Sequence, residues 1–179
     1  MTDQDIIGLY KQKGQEEKAF TELLRIYHER LYWHIRRMVT SHDDADDVLQ
    51  NAFLKIWKAL PNFRGDSGLF TWIYRIATNE ALSFLNQRKK RLALRMDDPD
   101  QVAIDRLEGD EYFDGDAVQK KLYAIIETLP TKQKMVFQMK YFDEMKYTEI
   151  AEILDTSVGA LKASYHHATK KIEQAFIED

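Results

Sequence analysis

The last third of the chain contains two short helical segments joined by a tight polar turn. In the first segment, apolar side chains recur every three or four residues and so form one stripe of a helix. These side chains are Tyr147, Ile150, Ala151 and Leu154. Ser157 offers a hydroxyl that can cap a second helix, which we expect to run to about Ile172. The pattern is typical of a helix-turn-helix and restricts this region to a small helical unit packed around the turn.

One face of the second helix has the properties of a surface that enters the major groove of DNA. The opposite stripe is apolar and consists of Leu161, Tyr165, Ala168 and Ile172. The outward side chains are short, polar or basic and include no carboxylate, so the backbone can approach base edges while cations bind phosphates. We expect the DNA-facing set to be Ser157, Lys162, Ala163, His166, His167 and Lys170. Taken alone, the segment also fits a plain helical hairpin with a solvated outer face.

Composition favours an all-α protein. The chain has 179 residues with only 3 prolines and 7 glycines, and no stretch alternates apolar and polar residues as a strand would. The absence of cysteine excludes disulfides and thiolate metal sites. No apolar run approaches the roughly 20 residues that cross a bilayer, and the N-terminal residues lack a secretory signal pattern. We therefore expect a cytoplasmic protein with no direct membrane insertion.

The net charge of -4 is unevenly distributed along the chain. Residues 95–118 hold nine acidic and two basic residues, whereas residues 1–94 hold fifteen basic and twelve acidic residues, and residues 119–179 hold nine of each. The overall acidity therefore does not argue against binding to nucleic acid. We predict two small helical domains, residues 1–94 and 119–179, joined by an acidic flexible linker at residues 95–118. The second domain contains the helix-turn-helix.

Helical periodicity divides both predicted domains further. The first should contain a short helix ended by Gly14, a helix over about residues 16–40, a helix from Ser41-His42 to just before Pro61, and, after a polar loop at 62–68, a long helix closing on the basic run 88–91. The second should begin with a helix near Val118 and continue with another after Pro130. The two helices of the helix-turn-helix follow.

Three motifs occur in an order and spacing that resemble a known family. They are DDADDVLQNAFLKIWK at 43–58, FRGDSGLFTWIYRIATN at 63–79 and YTEIAEILDTSVGALK at 147–162. Together they resemble the bacterial extracytoplasmic-function (ECF) sigma factors, the small two-domain initiation subunits of RNA polymerase. The resemblance covers nearly the whole chain apart from the linker. It implies a protein that binds core RNA polymerase through the β′ and β subunits and directs initiation at specific promoters, with no enzymatic activity and no cofactor.

The first motif corresponds to the helix that, in this family, docks on a coiled coil of the β′ subunit. Acidic and amide side chains beside apolar ones suit a partly polar interface. The resemblance assigns core binding to Asp44, Asp47, Leu49, Gln50 and Phe53. Asn51 stands where the family usually has Glu. The same acids also fit a solvated helix face whose N-terminal charges are favoured by the helix dipole.

The second motif corresponds to the part of the family that holds the unpaired −10 element of the promoter. Aromatic rings stack on extruded bases, arginine binds phosphate, and a loop that contains glycine can close around a flipped base. The resemblance assigns this role to Phe63, Arg64, Asp66, Ser67, Trp72 and Asn79, and backbone contacts to Arg88 and Lys89. The alternatives are a core position for the aromatic residues and a role for the basic run in satisfying the helix dipole. Tyr74 and Arg75 also fit either a DNA-binding role or a structural role.

The third motif contains the helix that reads the −35 element in this family, and here the chain departs from the family pattern. Ala160 and Ala163 stand where hydroxyl residues are usual, and His167 and Thr169 stand where arginines are usual. Fewer charges predict weaker phosphate binding by this helix. His166 and His167 point about 100° apart on a helix, and no third ligand is spaced to join them, so we expect no metal site.

Two other classes of function fit the sequence less well. A free-standing helix-turn-helix regulator would act without polymerase as a dimer, but no spare amphipathic helix is left for dimerisation. An enzyme is weakly supported, because no nucleophile, base and orienting group are grouped and no glycine-rich phosphate loop is present. The acids at 43–47 lack the loop glycine and closing Glu of a calcium-binding hand. The resemblance further implies an anti-sigma factor, often membrane-anchored, that masks both DNA-binding domains.

Overall fold

The computed structural model describes residues 1–98 and 115–178, which contain helices and no strand. The helices are α1 (Asp3–Tyr10), α2 (Glu16–Val39), α3 (His42–Ala59), α4 (Leu69–Leu94), α5 (Ala117–Glu127), α6 (Thr131–Tyr141), α7 (Tyr147–Leu154) and α8 (Val158–Ile177), with a 3-10 turn at Leu60–Asn62. The predicted all-α class is confirmed. Most of the predicted linker, residues 99–114, lies outside the described residues, so the proposed linker boundaries stay a prediction.

Local signals explain where most helices begin and end. Thr40 closes α2 in the left-handed region with φ 66°, and the Ser41 hydroxyl accepts a hydrogen bond from the Asp44 backbone N–H at 3.3 Å. The predicted boundary between α2 and α3 is therefore confirmed. Helix α1 already ends at Tyr10, before Gly14. Helix α8 continues to Ile177 instead of about Ile172, because no glycine or proline follows to stop it.

Helices α1 to α4 form a first unit around an apolar core. The core side chains of α2, α3 and α4 are spaced as the sequence periodicity predicts, and several have no exposed surface, among them Leu23, Leu31, Ile35, Ile56 and Ile73. Helix α1 is attached to this core by Ile6 and by the Tyr27 hydroxyl, which donates a hydrogen bond to Asp3 Oδ1 at 2.6 Å. The unit thus holds the α2–α3 pair and the start of α4 in fixed positions.

Helices α5 to α8 form a second unit with two apolar sides. One side is a small core of its own, formed by Ile126, Leu129, Phe137, Ala168 and Ile172. The other side belongs to the same continuous cluster as the core of the first unit and comprises Met135, Val136, Met139, Met145, Ile150, Ile153 and Leu161. Helix α7, the first helix of the helix-turn-helix, lies against α4. The second unit therefore buries apolar surface against the first.

A buried carboxylate lies where the two units meet. Asp143, on the turn after α6, contacts His34 Nδ1 at 2.6 Å and Arg37 Nη2 at 2.5 Å, and its side chain is only 5% exposed. The other ring nitrogen of His34 lies 2.8 Å from the Thr78 hydroxyl of α4. We call Asp143, His34 and Arg37 the clamp. Burial alone would raise the pKa of Asp143, but the opposing charges and hydrogen bonds of His34 and Arg37 hold that pKa below its usual value.

Two further polar contacts join the units on either side of the clamp. Gln138 of α6 donates from Nε2 to the Arg37 backbone carbonyl at 2.8 Å. Arg75 of α4 donates from Nε and Nη2 to the carbonyl oxygen of Glu152, near the end of α7, at 3.1 and 2.6 Å. Because these contacts involve α2, α4, α6 and α7 together, they set the orientation of the helix-turn-helix relative to the first unit.

Neutralising the clamp should destabilise the chain. Asp143→Asn keeps the shape of the side chain but removes the charge between His34 and Arg37, and we expect a loss of about 3 to 5 kcal/mol at neutral pH in urea unfolding. Because the pKa of Asp143 is lowered in the folded chain, its carboxylate contributes fully to stability at pH values above its usual pKa of 3.8. This contribution is lost as the pH falls through the folded-state pKa. The difference between variant and parent should therefore shrink below pH 3.8.

Glu144→Gln is the matched control, because Glu144 is the adjacent residue and is exposed. It removes the same charge and should change the free energy of unfolding by less than about 0.5 kcal/mol. Equal effects of the two substitutions, or a difference that does not change with pH, would show that Asp143 does not act through its charge.

Candidate functional site

An open apolar groove lies between α2 and α3, with a volume of about 920 Å³. Its lining comprises Glu17, Phe20, Thr21, Leu24, His28, Asp46, Leu49, Gln50, Phe53, Leu54 and Trp57. Phe20 packs edge-on against Phe53 and Trp57, with ring centroids 6.4 and 4.9 Å apart, and His28 stacks on Phe53 at 6.0 Å. Leu54 is 57% exposed at this surface. The groove is thus an accessible apolar surface with a polar rim.

The five residues assigned to core binding by sequence are not all in this groove. Leu49 and Phe53 are buried and form part of its floor, while Gln50 is exposed on its rim. Asp47 is exposed on the same helix but is not part of the lining. Asp44 is half-buried, and one carboxylate oxygen lies 3.7 Å from Arg88 Nη1 of α4. Sequence reasoning missed Leu54, because an exposed leucine beside an apolar stripe has no signal of its own.

An aromatic pair joins the loop before α4 to the first turn of that helix. Phe63 and Trp72 are both half-buried, and their ring centroids are 5.0 Å apart. Gly65 has φ +78°, so a side chain there would be strained, although nothing lies within 4 Å of its missing Cβ. Arg64 and Asp66 are exposed, and Ser67 is half-buried. The loop therefore exposes polar side chains next to an aromatic pair whose ring planes are tilted by 55°.

Asn79 and Trp72 lie on one side of α4, because seven residues are almost two helical turns. Asn79 is exposed. Arg75 lies on the same side, and its guanidinium binds the Glu152 carbonyl of the second unit. Tyr74, which the sequence left open, is a core residue with 2% exposure, and burial is the main cause that raises its pKa to about 12.

The two residues of the basic run assigned to DNA have different surroundings. Arg88 is half-buried, donates from Nη1 to the Val39 carbonyl at 2.9 Å, and has its guanidinium 5.7 Å from the centroid of the Phe84 ring. Lys89 is exposed. Arg88 therefore ties the end of α4 to the α2–α3 junction, which is a structural role that periodicity could not reveal. Its predicted contact with DNA stays a prediction.

The outward face of α8 is accessible along its length. The Ser157 hydroxyl accepts from the Ala160 backbone N–H at 3.2 Å, so the predicted cap is present. The side chains predicted to face DNA are all exposed; they are Lys162, Ala163, His166, His167 and Lys170. The predicted inward side chains Leu161, Ala168 and Ile172 are buried, and Tyr165 is half-buried. Lys162 Nζ lies 5.8 Å from the centroid of the Tyr147 ring, which helps to hold it beside α7.

Sequence reasoning missed the clamp entirely. Its partners are more than 100 residues apart, since His34 and Asp143 are separated by 109 positions. One signal was available: His34 lies among the apolar positions of α2, next to Ile35, where a polar side chain needs a buried partner. The sequence did not indicate which of the many acids supplies it.

Across residues 1–98 and 115–178, no three His, Cys, Asp or Glu side chains are grouped so that they could hold a metal ion. In the same ranges no helix has the length and apolar character that crossing a bilayer requires.

Two parts of the chain match known family models. Residues 23–91 match Sigma-70 region 2, which covers most of the first unit, and residues 119–172 match Sigma-70 region 4, which covers most of the second. The chain is 31% identical over 188 residues to the ECF RNA polymerase sigma-E factor of Escherichia coli K12, with 97% of this chain and 93% of that protein covered. It is 31% identical over 180 residues to the RNA polymerase sigma-H factor of Pseudomonas aeruginosa, with coverage of 92% and 89%.

Two solved structures share the fold. CnrH in complex with the cytosolic domain of CnrY superposes with a TM-score of 0.70 at 21% identity and covers 99% of this chain and 98% of that chain. The sigma factor RpoE in complex with the anti-sigma factor NepR from Bartonella quintana superposes with a TM-score of 0.67 at 20% identity, with coverage of 90% and 99%. The arrangement of helices in both units is thus shared along nearly the whole chain.

Proposed function

We propose a division of labour between the two units of this chain, which belongs to the extracytoplasmic-function sigma factors of bacterial RNA polymerase. As a member of that family, the chain is a transcription initiation factor that binds core polymerase and directs it to promoters. A free-standing regulator that acts without polymerase is not favoured, because the relatives that match along nearly the whole chain are sigma factors. In our proposal the first unit binds polymerase and melted −10 DNA, and the second binds −35 duplex.

Polymerase binding is assigned to the α2–α3 groove. Its floor is apolar and aromatic, Leu54 is more than half exposed, and Gln50 and Asp47 lie on or near the rim. An exposed apolar surface rimmed by polar side chains is typical of a protein-binding site. We assign to it the coiled coil of the β′ subunit, whose helices can lay an apolar stripe in the groove.

The observation that carries the assignment of the DNA surfaces is that the two units expose two different kinds of surface. The first carries a half-buried aromatic pair, Phe63 of the loop and Trp72 of α4, near the exposed Arg64, an arrangement suited to stacking with unpaired bases while a cation binds the strand. The second exposes one face of α8 that is short-chained or basic and has no carboxylate, which suits approach to a duplex groove. One protein with both surfaces can hold a promoter that is melted at one element and paired at the other.

Regulation by an anti-sigma partner is part of the proposal. The two solved structures that share the fold are complexes, one with the cytosolic domain of CnrY and one with the anti-sigma factor NepR. We assign a partner of the same kind to this chain, where it would cover the polymerase-binding and DNA-binding surfaces. We place the chain in the cytoplasm, where core polymerase and promoter DNA are found.

Truncation of the groove rim should weaken polymerase binding without destabilising the chain. Leu54→Ala removes an exposed apolar contact and Gln50→Ala removes a rim amide, so each should lower affinity for core polymerase by roughly fivefold or more, measured by fluorescence titration. Lys58→Ala is the control, because Lys58 is exposed on the same helix but is not part of the groove lining. Unchanged binding, or a lowered melting temperature in place of weaker binding, would contradict the assignment.

The loop should read unpaired bases. Extruding a base from a duplex costs a few kcal/mol, so the full chain should prefer a single strand over the matching duplex. A preferred sequence can be selected from a randomised single-strand pool. Phe63→Ala should reduce the preference for that sequence more than it reduces overall affinity, since stacking on an aromatic ring contributes about 1 to 3 kcal/mol per base.

Lys89→Ala serves as the comparison for the loop, because Lys89 is exposed and is expected to contact only the backbone. It should weaken binding to every sequence alike. Equal affinity for single strand and duplex, with no effect of Phe63→Ala, would show that the first unit does not capture melted bases.

Phosphate contact by α8 should be visible in the salt dependence. Lys162→Ala should weaken −35-dependent transcription by the holoenzyme for all promoter sequences alike and reduce the salt slope of DNA binding by roughly one. Lys171→Ala is the control, because Lys171 is also exposed on α8 but points about 180° away from Lys162. A changed base preference would assign Lys162 to the groove instead, and an equal effect of both changes would remove this face from the DNA interface.

A further inference from the structure

Two arginines of the first unit, Arg37 and Arg75, bind groups of the second unit, and a third, Arg30, lies on the same face of α2 as Arg37. Arg30 and Arg37 are seven residues apart on α2 and so share one face, about 10 Å apart along the helix axis. Arg75 lies on α4 and follows Tyr74. The Tyr74 ring packs 5.1 Å from the ring of His34, which lies between Arg30 and Arg37 on α2. We call Arg30, Arg37 and Arg75 the arginine row. It places three guanidinium groups on this side of the first unit.

The second unit covers part of this row with oxygen atoms that carry negative charge. The Asp143 carboxylate binds Arg37 at 2.5 Å, and the carbonyl oxygen of Glu152 binds Arg75 at 2.6 Å. Glu152 is in the last turn of α7, where carbonyl groups carry the negative end of the helix dipole. Arg37 Nε is buried and makes no hydrogen bond among the described residues, so Asp143 does not use the full donor set of this guanidinium.

The row continues the surface that we assign to melted DNA. The Arg30 guanidinium lies 5.1 Å from the centroid of Phe70, the second residue of α4, directly after the loop of Phe63 and Arg64. Phe70 in turn packs on Tyr74 at 4.4 Å. The cations therefore begin beside the loop and extend along α2 over a length equal to roughly three stacked nucleotides at 3.4 Å each.

We propose that the arginine row binds the phosphate backbone of the single strand whose bases enter the loop, and that Asp143 and the Glu152 carbonyl occupy the same donors in the free chain. The inference rests on the proposed role of the loop in binding melted DNA. The second unit then competes with the strand for Arg37 and Arg75, so the Asp143 carboxylate and the Glu152 carbonyl take the place of phosphate oxygens in the free chain.

Promoter geometry requires the clamp to release. The −10 and −35 elements lie about 25 base pairs apart by position, or roughly 85 Å of duplex at 3.4 Å per pair. A compact chain of this length has a diameter of only about 40 Å. The two DNA-binding surfaces therefore have to separate for both elements to be bound, and this separation exposes Arg37 and Arg75 when the single strand is present.

The first test measures competition in the full chain. The probe is a labelled single strand of randomised sequence, about 16 nucleotides long, because a backbone contact does not depend on sequence. Asp143→Asn should tighten binding at least roughly threefold, since apparent affinity is reduced by the fraction of chains in the closed state. Glu144→Gln removes the same charge next to the clamp and should leave affinity within experimental error. No gain with Asp143→Asn would overturn the competition.

The second test asks whether the row itself contacts DNA. Added to Asp143→Asn, the change Arg37→Gln should abolish the gain and lower the salt slope by about one, whereas Arg25→Gln, an exposed arginine on the same helix, should leave the gain intact. Arg75→Gln gives a second variant in case the change at Arg37 prevents folding, because Arg75 is only half-buried and its hydrogen bond to Glu152 lies at the surface. If the tighter binding caused by Asp143→Asn persists both with Arg37→Gln and with Arg75→Gln, Asp143 only holds the units together and the proposal is wrong.

The third test reports the position of the two units. The chain contains no cysteine, so Lys18→Cys and Gln174→Cys, both at exposed positions, provide unique sites for a dye pair. Binding of the single strand should lower energy transfer between the dyes, and DNA bound with unchanged transfer would overturn the competition. If Phe63→Ala removes the base preference but Arg37→Gln and Arg75→Gln leave DNA binding unchanged, only this inference is rejected. If the parent chain shows no preference for a single strand, the proposed role of the loop is rejected as well.

Discussion

The orientation of the two units depends on one buried carboxylate. Asp143 lies between His34 and Arg37 and is flanked by the Gln138 and Arg75 contacts, so polar groups define the angle at which the second unit packs. Apolar burial is non-directional and supplies attraction without fixing this angle. A buried ion pair contributes little net stability compared with an apolar contact of the same size, but an incorrect orientation would leave it unpaired at considerable cost. The clamp therefore acts mainly on specificity of packing.

Features that depend on neighbouring residues were predictable from the sequence. The apolar stripes of α2, α3, α4 and α8 and the caps at Ser41 and Ser157 are local, so periodicity and capping chemistry indicated them correctly. The exposed face of α8 followed from the same periodicity. The predicted family followed from three motifs in order, and it is confirmed by relatives that match along nearly the whole chain.

Features that depend on distant residues were not predictable in the same way. The role of Arg88 depends on the Val39 carbonyl at the end of α2 lying beside α4. The role of Asp143 depends on the packing of α6 on α2. Neither arrangement can be inferred from neighbouring residues. Leu49 and Leu54 are both leucines of α3 that line the groove, yet Leu49 is buried in its floor and Leu54 is 57% exposed. A single residue type therefore does not distinguish a core position from a binding position when both lie on one amphipathic helix.

The shared apolar cluster makes folding and opening cooperative events. Met135, Met139, Ile150 and Ile153 of the second unit are packed into the core of the first, so separating the units in water would hydrate these side chains at about 25 cal/mol per Å² of apolar surface. The free chain therefore populates the separated state sparsely. That state becomes abundant only when another macromolecule covers the apolar surface that separation of the units exposes. Heat and denaturant should accordingly melt both units in one transition, as in a single-domain protein, although the chain carries two family modules.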